Sequence, residues 1–245
     1  KSESRCCCAI QGRNKSQGWS THRSWLDHGR VTRQAWQTRK ALTVVAVKFT
    51  DLVRTRRMTR AFLPEPIGDD VLHALIDLAL RAPSAGKTQG THFVVLGGDD
   101  VVEFWNDTLP IEKRSTFRWK QLLDAPVIIL PFVDPLAYVA RYAEPDKQAT
   151  GLGEGVHAWP TPYWTIDGSF AVMSLLLAAH DADLGALFFA VFNGEQQLRS
   201  RLGVPEHMQL LGAIAVGRAV RSDEKGRSAA RPRRPIEEAI HLSRW

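Results

Sequence analysis

"RAPSAGKTQGTHFVVL" (residues 81–96) changes character twice within a few positions. It closes a run of helical apolar spacing at Pro83, crosses a small polar loop, and enters the apolar run of a strand. The loop is Ser84-Ala85-Gly86 followed by Lys87 and Gln89. Small residues allow a planar ligand to approach the backbone closely. The Gln89 amide offers a donor and an acceptor, which suits a ring edge carrying both. An ordinary helix-to-strand connection would look the same, so the neighbouring stretches must decide.

Upstream, a first helix is predicted through about Val53, and Pro64 and Pro66 hold the following stretch extended. "GDDVLHALIDLALRAP" (68–83) predicts a helix capped by Asp69 or Asp70, with Leu72, Leu75, Ile76 and Ala79 as its apolar stripe and Pro83 as its end. "THFVVLG" (91–97) predicts a strand buried at its centre. Downstream, "DVVEFWNDTL" and "KRSTFRWKQLL" predict amphipathic helices, and "APVIILPFVD" (125–134) a second buried strand. Residues 141–162 are turn-rich, as lids and binding loops are. "TIDGSFAVMSLLLAAHDA" (165–182) is the most apolar helix. "LGALFFAVF" (184–192) and "LLGAIAVGRA" (210–219) predict further strands, with a helix over 194–203 between them. Helices and strands mix without an internal repeat, which implies an α+β or α/β domain with helices packed on one sheet.

Composition narrows the function classes. The 245 residues carry a net charge of +6, which invites a nucleic-acid partner. However, residues 1–46 hold nine Lys/Arg against two Asp/Glu, a balance of +7, and leave about −1 for the rest. The body therefore needs no polyanion. Residues 1–46 also hold all three cysteines, Cys6-Cys7-Cys8, and three of the eight tryptophans, Trp19, Trp25 and Trp36. They show no sustained period and no apolar signal core, and are expected to be a disordered extension or a mis-assigned start. The domain is expected over 47–245. It contains no cysteine, which excludes thiol catalysis there and fits a reducing cytoplasm. No window reaches eighteen apolar residues without a charge, so no membrane partner is expected.

Two arginine clusters flank this body. "RTRRMTRAF" (54–62) carries Arg54, Arg56, Arg57 and Arg60, and "ARPRRPIEEAI" (230–240) carries Arg231, Arg233 and Arg234. Each alone suits a solvated face, a nucleic-acid contact or a phosphate clamp. If the two converge they form a dianion site, because the guanidinium fork donates two parallel charge-assisted bonds to phosphate.

Taken in order, these stretches resemble the nitroreductase family of FMN-dependent oxidoreductases. "RRMTRAF" (56–62) matches the family's R-R-S-x-R-x-F opening except at Met58. "APSAGKTQGTHF" (82–93) matches A-P-S-x-x-N-x-Q-P-W-x-F, and "RPRRP" (231–235) the closing basic segment. "PYWTIDGSFAVMSLLLAA" (162–179) is similar to the family's long central helix. The resemblance implies a three-layer α+β fold, a mostly antiparallel central sheet flanked by helices, in a homodimer with flavin at the interface. It implies that Arg56, Arg57, Arg231 and Arg233 hold the FMN phosphate and ribityl chain. Met58 would contribute only backbone, and Arg60 would lie near the ribityl chain and the N1–C2 edge. Pro83, Ser84 and Ala85 would pack near the ring. Lys87 stands for the usual asparagine and Gln89 keeps the glutamine, while Gly90 and His92 stand near the usual Pro-Trp. Leu187 and Phe188, after the central helix, would also touch flavin. NAD(P)H would be the reductant, and a nitroaromatic, quinone or similar small molecule the acceptor.

The body lacks H-E-x-x-H, G-x-S-x-G and G-x-G-x-x-G, as expected where a cofactor supplies the chemistry. "GLGEG" (151–155) neither follows a strand nor opens a helix, so it is no dinucleotide loop. His180 reads as a helix-end residue, and Glu237, Glu238 and His241 as surface. Trp159, Tyr163 and Trp164 suit a substrate pocket and an interface equally.

Overall fold

The computed structural model describes residues 47–221 and 226–245. The expected extension over 1–46, with its cysteine run and three tryptophans, lies outside the described residues. Among the described residues, no helix is long and apolar enough to cross a membrane.

Five strands form one sheet: β1 (Thr91–Gly97), β2 (Val127–Val133), β3 (Gly185–Phe189), β4 (Gln209–Leu210) and β5 (Ala213–Gly217). The spatial order is β1-β2-β5-β3, and β4 pairs with β2. Every strand pair is antiparallel. Side chains alternate across β2. Ile128, Leu130 and Phe132 meet Phe104 of α3 (Asp99–Thr108) and Leu198 of α7 (Glu195–Leu202). Val127 and Ile129 meet Leu75 of α2 (Asp69–Ala79) and Leu175 of α6 (Tyr163–Asp181). Helices cover both faces, so β2 is buried along its whole length. The result is the three-layer α+β arrangement, an antiparallel sheet flanked by helices.

Several local expectations are corrected. The N-cap of α2 is Gly68, with no side-chain cap bond. Asp69 and Asp70 occupy the first turn, where the positive end of the helix favours them. The helix ends at Ala79, four residues before Pro83, which has no N–H to donate to the Ala79 carbonyl. In β1 only Leu96 is buried, since the strand is an edge with a single neighbour. No helix spans 113–123. A single turn, α4 (Ile111–Arg114), and a 3₁₀ turn over Lys120–Leu122 stand there. Thr116 Oγ1 donates back to Lys113 O at 3.1 Å, a local bond that weakens helix formation slightly.

Residues 141–162 are also more ordered than a long loop. α5 (Pro135–Tyr142) leads in, capped by Asp134, whose Oδ1 accepts from Leu136 N and Ala137 N. Three 3₁₀ turns follow, over Gln148–Thr150, Leu152–Glu154 and Val156–Ala158.

The expected strand over 210–219 is split into β4 and β5 at Gly212, whose φ is +149°. Pro131 lies opposite this break. Its carbonyl accepts from Leu211 N at 3.0 Å, so its nitrogen faces the same gap and no ladder bond is lost.

The arginine stretch is a strap on the sheet edge. After α1 (Phe49–Thr55), Met58 bridges Ala186 of β3, and Thr59 N donates to Ala186 O at 3.0 Å. Phe62 then bridges Ala219 beyond β5. These backbone bonds fix where residues 56–60 lie.

Helix α6 approaches the sheet closely at Gly168. A Cβ there would lie 2.5 Å from Val133 Cγ1 and 2.7 Å from Leu211 Cδ1. Gly168→Val is expected to lower stability by about 1–3 kcal/mol through overpacking, read as a lower denaturant midpoint. An unchanged midpoint would show that helix and sheet separate freely here.

Candidate functional site

Two cavities flank α6. The smaller, of about 180 Å³, is walled by Arg56, Arg57 and Thr59 of the strap, His180 at the end of α6, and Gly185 and Ala186 of β3. Leu176, Asp183, Leu184 and Ala219 complete it. The Nε and Nη1 atoms of Arg56 are buried and have no hydrogen-bond partner among the described residues. Buried donors without acceptors are costly, and an anion entering beside Arg57 would satisfy them. The donor set thus fits an organic phosphate.

His180 adds a polar group that the sequence reading had treated only as a helix end. Thr55 Oγ1 spends its proton on Asp51 O at 2.7 Å. The 2.9 Å contact to His180 Nε2 therefore requires that Nε2–H donate to the hydroxyl.

The larger cavity, of about 230 Å³, lies under the loop that follows α2. Ala79, Leu80, Ala82, Pro83, Ser84, Gln89, Thr91, Asp167 and Ala171 line it. The loop is clamped from several sides. Ala85 N donates to Asp167 Oδ2 at 2.8 Å. Gln89 N donates to Ser84 Oγ at 2.9 Å, and Arg141 Nε to Gly86 O at 2.9 Å. Arg141 is itself fixed by Asp146, at 2.7 and 2.8 Å. That pairing holds the Asp146 carboxyl below its ordinary range. The clamps hold Lys87 and Gln89 at φ values of +56° and +58°, a region non-glycine residues rarely occupy. Strain of this kind concentrates at ligand sites.

Asp167 was not singled out from the sequence. Its signal was available: an acid inside the most apolar helix, flanked by apolar residues. It is only 4% exposed, and Oδ2 also accepts from Tyr138 Oη at 2.7 Å. Burial, the bond to Asp167 and its negative charge push the Tyr138 phenol far above its ordinary value. Around Tyr138 pack Trp159 and Trp164, with ring centroids at 5.8 and 6.2 Å. Their indoles donate to Leu152 O and Gln209 Oε1, each at 2.9 Å. These two tryptophans are therefore part of the core of the chain. Tyr163 remains exposed.

The remaining expected site residues lie elsewhere. Arg60 stacks 5.3 Å from the Trp119 centroid and donates to Met58 O at 3.2 Å, so it lines neither cavity. The Met58 side chain packs into the core. Leu187, expected at flavin, is turned by strand alternation into the core on the α3 face. Phe188 packs on the α6 face. Lys87 and Gln89 are exposed, with only Gln89 on a cavity wall. Arg231 and Arg233 are exposed beyond the 3₁₀ turn Arg227–Ala230, and share no cavity with Arg56 and Arg57.

The Tyr138–Asp167 bond has a pH signature. A phenol whose pKa is raised on folding contributes stability fully below its unfolded value, near 10.0, and loses it as pH rises toward the folded one. Tyr138→Phe is expected to cost about 1.5–3 kcal/mol near neutral pH. It should also flatten the fall in thermal midpoint that the parent shows in this alkaline range. A variant as stable as the parent, with the same alkaline slope, would contradict the assignment.

The nitroreductase family model matches residues 53–218. The chain is 26% identical over 198 residues to "Putative NADH dehydrogenase/NAD(P)H nitroreductase" of Archaeoglobus fulgidus, covering 79% of this chain and 97% of that one. It is 29% identical over 189 residues to iodotyrosine deiodinase of Danio rerio, covering 69% and 59%. Among solved structures, a "putative nitroreductase in complex with FMN" from Exiguobacterium sibiricum aligns with a TM-score of 0.61 at 18% identity, covering 81% and 98%. The family model spans most of the folded body, from the arginine strap to the end of β5, and this chain belongs to the nitroreductase family.

Proposed function

We propose that this chain is an FMN-dependent oxidoreductase, carrying a hydride from NAD(P)H through bound flavin to a nitroaromatic, a quinone or a similar small acceptor. The observation that carries this reading is the buried, unpartnered pair of nitrogens on Arg56, a residue that lines a cavity together with Arg57. When bound, FMN supplies the redox chemistry, and the protein supplies position and field. Arg56 and Arg57 hold the phosphate, and Arg231 and Arg233, which do not line that cavity within one chain, are assigned to it from the C-terminal segment in the assembled dimer. Pro83, Ser84, Ala85 and Gln89 form the seat of the ring. The strained, clamped loop presents that seat in one preset shape. The activity is assigned to residues 47–245.

We also assign a homodimer. On α6, Ala171 lines one cavity and Leu176 the other. Five residues at 3.6 per turn place them about 140° apart around the helix axis. One protomer therefore turns its arginines and its ring loop to different sides, and a second copy is needed to bring both to one flavin. Phe170 and Met173 leave an exposed apolar face on the same helix, suited to that partner.

The iodotyrosine deiodinase likeness favours a second reading within the same cofactor chemistry, reductive removal of halide from an aryl halide. Parallel turnover assays with a nitroaromatic, a quinone and an iodophenol separate the two.

The test is direct. The purified chain is expected to take up FMN, and its visible bands to bleach on anaerobic addition of NADPH. Arg56→Ala or Arg233→Ala should weaken FMN binding by about 1.5–3 kcal/mol, the scale of charge-assisted bonds. Equal FMN affinity in both variants and the parent would remove the clamp. Bands that persist with NADH and NADPH would leave a flavin carrier.

A further inference from the structure

The smaller cavity carries two features that oppose the anion its arginines invite. It lies at the C-terminal end of α6, where a helix presents partial negative charge, and Asp183 is on its wall. Asp183 sits at φ +58°, and its N–H closes on His180 O at 3.2 Å, so acid and imidazole belong to one turn. His180 lines the same cavity and stands in the last turn of α6, where a cation is favoured.

The imidazole can gain its charge at one atom only. Nε2–H already donates to Thr55 Oγ1 at 2.9 Å, because the hydroxyl gives its own proton to Asp51 O. The second proton therefore adds at Nδ1. The charged side chains that share the cavity with His180 are Arg56, Arg57 and Asp183. On α1, Asp51 and Arg54 are exposed and do not line it, nor does the exposed Asp181 of α6. Helix α2 packs Leu72, Leu75 and Ala79 against α6, while its Asp69, Asp70, His73 and Asp77 are not on the cavity wall.

Without a ligand, two guanidiniums oppose a third positive charge here. A phosphate monoester brings close to about two negative charges near neutral pH and reverses that balance. Two arginines offset by Asp183 leave a single net positive charge to meet it. A proton on His180 supplies the difference.

We propose that His180 is a proton-dependent third arm of the anion cavity, taking up a proton as a phosphate monoester dianion enters beside Arg56 and Arg57. One N–H bond forms, at Nδ1, and the proton leaves an acid of the solvent or buffer; no bond of the ligand breaks. By linkage, His180 strengthens anion binding where imidazole takes up a proton, and this contribution fades as pH rises. This rests on the reading of the cavity as the phosphate end of the flavin site. It adds a residue of α6 to a clamp otherwise made of arginines. Those arginines, with Arg231 and Arg233 of the dimer, keep their charge throughout and take no part in the proton count.

The proton is counted by calorimetry. FMN is titrated into the full, flavin-free chain at about pH 7.5, in two buffers of different ionisation enthalpy. The parent is expected to take up roughly half a proton per FMN, and His180→Gln, whose amide keeps an N–H for Thr55, to take up none. Loss of the residual proton on the FMN phosphate would register with the opposite sign. Riboflavin, which has no phosphate, should give no uptake in either protein. His180→Gln should also weaken FMN binding at least about fivefold at about pH 6.5 and less than about twofold at about pH 9. A merely structural role would weaken it equally at both. No uptake or net release in the parent, the same uptake in folded His180→Gln, or a loss of affinity independent of pH would each overturn the proposal. The parent count is decisive even if the variant does not fold. A chain that takes up no FMN would sink the proposed cofactor instead. Sulfate, a dianion that does not titrate in this range, then replaces it. Tighter sulfate binding at the lower pH in the parent would uphold the role of His180, and binding that is absent or independent of pH would overturn it.

Discussion

One buried oxygen ties together the parts on which the site depends. Asp167 Oδ2 accepts from Tyr138 of α5 and from the backbone of Ala85, and Asp167 itself belongs to α6. Three segments distant in sequence thus meet at one charge. Helix α6 otherwise buries alanine, valine and leucine against the sheet, which packing alone could hold in several rotations. The carboxylate has two donors in fixed directions, so it selects one rotation and one loop shape. Buried polar groups of this kind must be satisfied, and when satisfied they specify geometry more than they add stability.

That constraint explains how the loop over 84–89 can carry a backbone it would not adopt alone. Lys87 and Gln89 sit at positive φ without being glycine. The bonds from Ala85 N, Gln89 N and Arg141 Nε hold the loop from both sides, and Asp134 N closes on Gly90 O just beyond it. A ligand meeting such a loop does not bear the cost of ordering it. The arginine strap follows the same logic by other means, since its backbone is pinned to β3 while Arg56 keeps two nitrogens without a partner among the described residues.

The two cavities differ in charge, one lined by two arginines with Asp183 and the other by a single carboxylate, Asp167. They lie on different sides of one helix. The net charge of the chain is uninformative about this, because it resides almost wholly in residues 1–46.

Much of this was legible in the sequence. Alternating and helical apolar periods located β2, α2 and α6, since those patterns follow from burying one face of a regular element. The small residues over 84–86 and the arginines over 56–60 marked where a ligand could approach. Local pattern is silent about long-range partners, and every miss lies there. The apolar spacing of 113–123 did not reveal that only two short turns stand there, and that of 210–219 did not reveal the break at Gly212, opposite Pro131. Trp159 and Trp164 became core because Tyr138 and Gln209 were waiting for them. Trp119 receives the Arg60 guanidinium and strand alternation turns Leu187 into the core, contacts that local pattern does not encode. Asp167 gained its importance only when folding placed Ala85 and Tyr138 beside it, because a hydrogen bond needs its partner within about 3 Å and sequence separation does not encode that distance.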